Sequence, residues 1–257
     1  MIFIMKGKPE KKGYPLWVRI ILPVIFWLAL WSILSAAIGQ EILLPSPAAV
    51  CRRLIELAGT TGFWAAAGLS LVRIFLGAAA GTAAGMFLAW LTFFSHPMDT
   101  IISPAIRILR ATPVASFIIL VLLWIKTGAV PGVISGLMVM PVIWQSVRSG
   151  FENTDPGMLE FAKAYGFGRF KTLKEVYIPS ISLYFVSGIC TAAGFAWKSG
   201  VAAEVLCLPK TAIGTQVYYS KIYLETPSLF AWTAVVVVMS IILEKLIKRM
   251  LRKRRPE

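Results

Sequence analysis

Residues 150–166 read GFENTDPGMLEFAKAYG, and residues 167–179 continue as FGRFKTLKEVYIP. This stretch is the least apolar part of the chain, and long apolar runs lie on both sides of it. Asp155 is typical of a helix N-cap, Pro156 of the first helical position and Gly166 of the residue that ends a helix. We therefore predict a short helix between residues 156 and 165, in a loop that connects two membrane spans.

The predicted helix has one apolar face. Met158, Phe161, Ala162 and Tyr165 recur at the i, i+3, i+4, i+7 spacing of an amphipathic helix. A second short helix is predicted at residues 169–177, ending before Pro179. Nothing in the loop itself covers the apolar face, so this face either docks into a partner's groove or packs on its own membrane domain.

The rest of the chain is built for lipid. Of its 257 residues 58% are hydrophobic and 15% are charged, against about 25% charged residues in an average soluble protein. Because about 20 apolar residues of helix cross a bilayer, we predict an all-α integral membrane protein with six transmembrane helices. The predicted spans are residues 16–38, 69–94, 101–125, 130–147, 183–206 and 230–246. The first is too long for a signal peptide and is predicted to remain uncleaved.

The basic residues predict the topology. The formal net charge is +14, with 26 Lys and Arg, and 17 of these residues flank the predicted spans on one side, at positions 6–19, 148–174 and 245–255. The opposite loops hold only Arg52, Arg53, Lys126, Lys210 and Lys221. By the positive-inside rule both termini are predicted to be cytoplasmic, and a nucleic-acid role for the basic tail is not needed.

The loop then shows a specific pattern. Glu160 and Ala162 are followed after three residues by Gly166, and after nine more by Val176, one residue, Ile178 and Pro179. This spacing resembles the EAA loop of type I ABC importer permeases throughout. Phe161, Val176 and Ile178 depart from the usual Ala, Ile and Leu, and all three changes keep the position apolar.

In that family the loop carries a coupling helix that inserts into a groove of a cytoplasmic ATPase. The resemblance therefore implies a type I ABC importer permease fold, with an ATPase-coupling site formed by the following positions: Glu160, Phe161, Ala162, Gly166 and Pro179. It also divides the chain into a cytoplasmic basic N-terminus (1–15), a first transmembrane helix (16–38), an extracytoplasmic connection (39–63), a core permease domain (64–246) with its coupling loop (150–179), and a cytoplasmic basic tail (247–257).

Four other segments resemble one branch of the family, the importers of nitrate, taurine and alkanesulfonates. They read LPSP (44–47), SLVRI (70–74), LRATP (109–113) and GFAWKSGVAAE (194–204). The resemblance implies a multi-pass subunit of a bacterial cell membrane that pairs as a homodimer and works with two ATPase subunits and an extracytoplasmic solute-binding protein. ATP and Mg would bind the ATPase, and this chain would carry no cofactor or metal.

Catalysis has no support in the sequence. His96 is the one histidine, and neither a metal-binding H-E-x-x-H pattern nor a phosphate-binding P-loop occurs. We therefore expect a transport subunit and not an enzyme. An ATPase-independent secondary transporter or channel is the alternative, although the spans offer few acids for ion coupling.

Two further groups of residues are candidates for packing or transport. Gly77, Gly81 and Gly85 lie four apart and predict a close helix seam, with a lining of the solute path as the alternative.

Arg73, Lys198 and Glu204 are the candidate functional charges within the predicted spans, because an ionisable group there needs water or a partner. Lys198 and Glu204 are six residues apart, so they need separate partners or a shared cavity. Each is a candidate for the translocation path or for an interhelical contact. The two cations, Arg73 and Lys198, predict that the transported solute is a small anion such as a sulfonate or nitrate. The alternative is an uncharged or cationic vitamin precursor, because the same branch includes carriers of such compounds. The segment 207–228 is predicted to be either re-entrant or to lie on the headgroups.

Overall fold

The protein is described by a computed structural model that covers residues 16–252. The predicted basic N-terminus and the last five residues of the basic tail lie outside the described residues. The described part is helical, with the following helices: α1 (Leu16–Ile38), α2 (Pro47–Ala58), α3 (Thr61–Phe94), α4 (His96–Ala111), α5 (Val114–Leu122), α6 (Val130–Glu152), α7 (Pro156–Ala164), α8 (Arg169–Thr172), α9 (Ile178–Cys207), α10 (Ile213–Ile222) and α11 (Thr226–Arg252).

The prediction of an all-α membrane fold is confirmed. Within the described residues, α1, α3, α6, the helix running from α8 through α9, and α11 are each long and apolar enough to cross a membrane. A sixth span is formed if α4 and α5 are taken together, although these two helices meet at an angle of 105°.

The expectation of one continuous third span at residues 101–125 is therefore wrong. α4 ends at Ala111, and Thr112 is extended with φ −79° and ψ 132°. The residue before a proline is driven out of the helical region by contact with the proline ring, and Pro113 itself has no N–H to continue the ladder. The Thr112–Pro113 pair explains why the helix breaks here, and the break turns α5 sharply away from the direction of α4.

The expectation that the second loop helix ends before Pro179 is also wrong. α8 continues through a π-helical turn at Leu173–Tyr177 directly into α9, so one helix runs from Arg169 to Cys207. The Ile178 N–H donates to the Leu173 carbonyl, five residues back. Pro179 lies inside this continuous helix, two residues after the π turn, and it has no N–H to donate to the helical ladder.

Three helices form the centre of the bundle. α3 and α6 run parallel, with Gly77 facing Gly132 and Gly81 facing Gly136, and a Cβ on Gly77 or Gly81 would lie 1.8 or 2.2 Å from the facing carbonyl oxygen. Gly85 continues this seam against Met140. The predicted glycines therefore lie where the two backbones are closest, because only residues without a side chain allow this approach.

α9 packs antiparallel to α6 along most of its length. Gly200 faces Ser135 near one end of the pair, and Gly188 faces Ser146 nearer the other. The Ser135 hydroxyl donates to the Ala196 carbonyl at 3.1 Å, which joins the two helices by a buried hydrogen bond. The bundle thus has an α7 end, where α3 and α6 finish and α9 begins, and an α10 end, where α9 finishes.

α1 stands apart from this bundle. Its last two turns are tied to the α10 end, where Trp31 donates to the Pro45 carbonyl and Ser35 to the Leu44 carbonyl. Its earlier apolar side chains, from Ile21 to Leu28, are about half exposed or more. The chain therefore contains one span whose apolar surface is largely uncovered.

Candidate functional site

The α7 segment is built as its sequence predicts. The Asp155 carboxylate accepts a hydrogen bond from the Gly157 N–H at 2.9 Å, which caps the start of α7. At the other end Gly166 has φ +65°, and the Phe167 N–H donates to the Ala162 carbonyl at 2.8 Å. This left-handed glycine turns the chain back towards α8, so α7 lies as a separate short helix at the α7 end of the bundle.

α7 exposes an apolar surface that we call the α7 patch. The patch consists of four exposed large apolar residues in α7 and the segment directly after it, which are Met158, Phe161, Tyr165 and Phe170. Tyr165 and Phe170 are 70% and 79% exposed, and the Phe161 and Tyr165 rings lie 4.3 Å apart. An aromatic patch of this kind on a connecting loop is typical of a protein-binding surface.

One predicted docking residue faces the other way. Ala162 is 1% exposed, and α7 packs on the π turn, where Val176 is also buried. Ala162 therefore seats α7 on its own chain and is not available to a partner in this conformation, which corrects its predicted place in the docking contact. The apolar face is thus divided, since Ala162 turns inward while the α7 patch turns outward.

The remaining predicted coupling residues are exposed. Glu160 and Gly166 lie on the surface of the loop, and Pro179 is exposed at the start of α9. The patch is surrounded by exposed cationic side chains at positions 163, 169, 171 and 174. The Lys171 ammonium lies 3.9 Å from the centre of the Phe167 ring, so the loop combines aromatic area with positive charge.

At the opposite end, polar residues form a buried cluster that we call the α10 anchor, consisting of Ser70, Arg73, Glu204 and Gly214. Glu204 is completely buried, and its Oε2 accepts hydrogen bonds from the Ser70 hydroxyl at 2.8 Å and the Gly214 N–H at 3.1 Å. Ser70 in turn accepts a hydrogen bond from the Ile213 N–H at 3.0 Å. The first N–H groups of α10 are thus capped by side chains from α3 and α9, with an anion at the positive end of the helix dipole.

Arg73 completes this cluster. Its guanidinium donates to the carbonyls of Lys210 and Thr211 at 3.0 and 3.3 Å, and its Nη1 lies 3.8 Å from Glu204 Oε1. Of the two alternatives for Arg73 and Glu204, this geometry favours an interhelical contact over the translocation path. Both residues fix interhelical contacts in this conformation, because the cost of a buried carboxylate is offset by its hydrogen bonds and a neighbouring cation.

The segment 207–228 belongs to the same cluster. It forms the ten-residue helix α10, whose first residues Ile213, Gly214 and Thr215 are buried against the bundle. The preceding loop contains two non-glycine residues in the left-handed region, Leu208 and Thr211. The segment is therefore a short helix whose capped N-terminus is packed against the bundle, and not an irregular loop.

Lys198 lies away from this anchor. It is exposed on α9, and in the described part of the chain it forms no hydrogen bond or ion pair with Glu204. It belongs to an exposed row at helical spacing that we call the α9 stripe, consisting of Ser187, Thr191, Phe195, Lys198 and Ala202. Hydroxyl and ammonium groups in a span favour a face turned to water or protein over one turned to lipid.

Two contacts between helices involve residues that are not among the predicted site or packing residues. Arg148 of α6 forms a two-pronged ion pair with Asp99 of α4, and its Nε donates to Glu152 at 2.7 Å. In the sequence, Arg148 contributes only to the set of basic residues that predicts the topology. Likewise, Gly132 and Gly136 of α6 face the glycines of α3, and their own four-residue spacing could have predicted the partner of that seam.

A cleft of about 530 Å³ lies between α3, α9 and α11. Small residues line much of it, including Ala78, Ala83, Ala192 and Ala196, and the lining is almost entirely apolar. Within the described residues, no cluster of His, Cys, Asp or Glu could hold a metal ion. The cleft can accept an apolar side chain or helix and offers no groups for catalysis.

Comparisons with known proteins identify the class of chain to which this arrangement belongs. Residues 81–256 match the family model described as binding-protein-dependent transport system inner membrane component. The chain is 23% identical to the taurine transport system permease protein TauC of Escherichia coli K12, over 88% of this chain and 84% of TauC. It is 21% identical to the putative aliphatic sulfonates transport permease protein SsuC of Bacillus subtilis, over 97% of this chain and 90% of SsuC.

A solved structure agrees at the level of the fold. The structure of a bacterial ABC transporter involved in the import of the acidic polysaccharide alginate aligns with a TM-score of 0.65 at 14% identity, covering 94% of this chain and 96% of that chain. The family match covers more than half of the sequence and includes the α7 loop and two residues of the α10 anchor, Glu204 and Gly214. The chain belongs to the family of binding-protein-dependent transport system inner membrane components.

Proposed function

We propose that this chain is the membrane subunit of an ATP-driven importer that moves a small sulfonate-like anion, and that it works as a homodimer with two ATPase subunits and an extracytoplasmic binding protein. The observation that carries this proposal is the α7 patch, because it is an exposed aromatic surface on a rigidly capped helix between two spans. ATP and Mg bind the ATPase subunits in this proposal, and the chain itself takes part in no chemistry.

The α7 patch suits an apolar ATPase groove whose rim carries charges of both signs, because the loop 150–179 holds four basic and four acidic residues. Its aromatic side chains provide the apolar area that dominates the binding energy of protein interfaces. The surrounding lysines and Arg169 provide charge that speeds association and fixes orientation. Orientation in the membrane follows from the positive-inside rule, which places the α7 end and both termini in the cytoplasm.

The homodimer is supported by the two uncovered apolar surfaces of the chain. The first half of α1 has exposed large side chains such as Phe26 and Trp27, while the cleft between α3, α9 and α11 is lined by small ones. Large side chains on one helix and small ones on another favour close packing in a membrane. In a homodimer, α1 of each copy could cover the cleft between α3, α9 and α11 of the other.

The solute path is assigned to the α9 stripe in such a dimer. Ser187 and Thr191 offer hydrogen bonds to a solute. Lys198 offers a cation that lowers the electrostatic barrier to passage of an anion, and within residues 16–252 it forms no ion pair with Glu204. The sulfonate class is suggested by the relatives, whose names specify taurine and aliphatic sulfonates. Arg73 and Glu204 have no direct part in the path in this proposal.

Two experiments test the proposal. Purification of the tagged chain with its cognate ATPase and a second, differently tagged copy should recover all three, and a chain that transports in vesicles without any ATPase would indicate the secondary transporter or channel instead. Titration of the cognate binding protein with taurine, methanesulfonate and choline should give binding of a sulfonate but not of choline. Binding of choline alone would contradict the anion class.

A further inference from the structure

α7 reaches the rest of the chain mainly through the π turn. The buried face of α7 around Ala162 packs against the π turn, in which Val176 is 3% exposed. The neighbouring residue, Tyr177, points away from α7 into a group of aromatic rings. A displacement of α7 can therefore reach the spans through the π turn as well as through the short connection to α6, where the Thr154 hydroxyl donates to the Gly150 carbonyl.

Tyr177 belongs to a four-ring cluster with Phe93, Phe94 and Phe151. All six pairs of these rings are in contact, with centroid distances between 4.5 Å for Phe93 and Phe151 and 6.1 Å for Phe94 and Tyr177. Phe93 and Phe94 end α3, Phe151 is in the last turn of α6, and Tyr177 precedes α9. The cluster thus joins the ends of three spans at the point where α7 is seated.

A second connection braces the same corner. The ion pair between Arg148 and Asp99 ties α6 to α4, and the Arg148 guanidinium also lies 5.3 Å from the centre of the Trp144 ring. Trp144 donates to Thr92 of α3 at 3.0 Å. The ends of α3, α4 and α6 are therefore linked to one another by polar contacts as well as by the ring cluster.

The π turn is the one part of this corner with irregular helical geometry among the described residues. One extra residue is accommodated between Leu173 and Ile178, so their hydrogen bond spans five residues instead of four. Isolated π turns within α-helices are frequent at functional sites, where a local rearrangement can rotate one part of the helix against the other. The π turn therefore lies beside the ends of α3, α4 and α6, which are linked to one another.

We propose that the four-ring cluster carries displacement of α7 into α3, α6 and α9, and that Tyr177 and Phe151 are positioning residues for energy coupling. This inference rests on the proposed function, because it gives the α7 patch an ATPase partner. It predicts that removal of a ring leaves basal ATP hydrolysis intact but reduces the stimulation of this hydrolysis by the binding protein.

The test uses the reconstituted complex of the chain with its cognate ATPase and binding protein. Tyr177→Leu is expected to leave assembly and basal ATP hydrolysis near the parent values and to reduce the stimulation of hydrolysis by binding protein at least about fivefold. Tyr177→Phe keeps the ring and is expected to keep the stimulation. Phe63→Leu is the matched control, because it removes a ring stacked 5.0 Å from Trp232 in another part of the bundle.

A second variant protects the test from a folding defect. Phe94 is 52% exposed, so Phe94→Leu leaves little internal space and is expected to reduce stimulation with unchanged assembly. Normal stimulation in both Tyr177→Leu and Phe94→Leu would overturn the inference, as would an equal loss in Phe63→Leu. A parent chain that binds no ATPase would instead overturn the proposed function.

Discussion

The Gly214 N–H donates to Glu204 Oε2 at 3.1 Å, and this closeness leaves no space for a side chain at position 214. A Cβ there would lie 2.4 Å from the Glu204 Cβ and 2.6 Å from the Val205 nitrogen. The N-terminus of α10 is thus held against α9 by a hydrogen bond that only glycine permits. The α10 anchor makes α10 a fixed part of the bundle.

Gly214→Ala is therefore expected to displace α10 and to destabilise the chain by about 1–3 kcal/mol, the usual cost of overpacking. The measurement is thermal unfolding of the purified chain in detergent. Gly68→Ala on α3 is the control, since a Cβ at that position meets nothing within 4 Å. Equal unfolding temperatures for the two variants would show that α10 is not anchored as described.

The seam between α3 and α6 gives a second prediction. Gly81→Ala would place a Cβ 2.2 Å from the Gly136 oxygen, so the two helices must separate and the folded chain is expected to lose about 3 kcal/mol or more. Gly194→Ala on α9 meets nothing within 4 Å and is expected to be tolerated. The yield of monodisperse protein and its unfolding temperature measure both effects. A stable Gly81→Ala variant would contradict this seam.

The turn after α7 gives a third prediction, with an unusually close control. Gly166 has φ +65°, and a β-branched residue in this region costs about 1–2 kcal/mol, so Gly166→Val is expected to distort α7 and lower coupled transport. Gly168→Val is only two residues away, where φ is −66° and space is open. Uptake driven by ATP and recovery of the ATPase are measured for both. Parent-like values for Gly166→Val would count against the α7 docking site.

Lys198 is expected to act in transport without a role in folding, because it is exposed and lies outside the α10 anchor. Lys198→Met removes the charge and keeps an unbranched stem, so uptake of a sulfonate is expected to fall about tenfold while basal ATP hydrolysis persists. Lys245→Met changes another exposed lysine, on α11, and is expected to have little effect. Unchanged uptake by Lys198→Met would remove this residue from the path.

The topology is tested by reporter fusions. A reporter that is active only in the cytoplasm should work at both ends of the chain and fail at Leu208, because the basic residues lie mostly on the side of the termini and the α7 loop. A reporter that is active only outside the cell should give the opposite pattern. Activity of the second reporter at the C-terminus would invert the topology and place α7 outside.

Much of this molecule follows from its sequence by local physics. Apolar length predicts the spans, because every residue in lipid must satisfy its backbone polar groups within a helix. Asp155, Pro156 and Gly166 delimit α7 as predicted, because capping and left-handed geometry are properties of single residues and their neighbours. The spacing of Gly77, Gly81 and Gly85 likewise indicates a narrow helix face without any knowledge of its partner.

Other features depend on tertiary structure. Ser70 and Glu204 are 134 residues apart and share a hydrogen bond, because the packing of α3 against α9 decides which polar groups converge. The face of α7 is divided between Ala162 inside and Phe161 outside by the position of the π turn. Periodicity and composition report what one helix can bury. Only the packed bundle decides which surface buries it, since that depends on the helices that surround it.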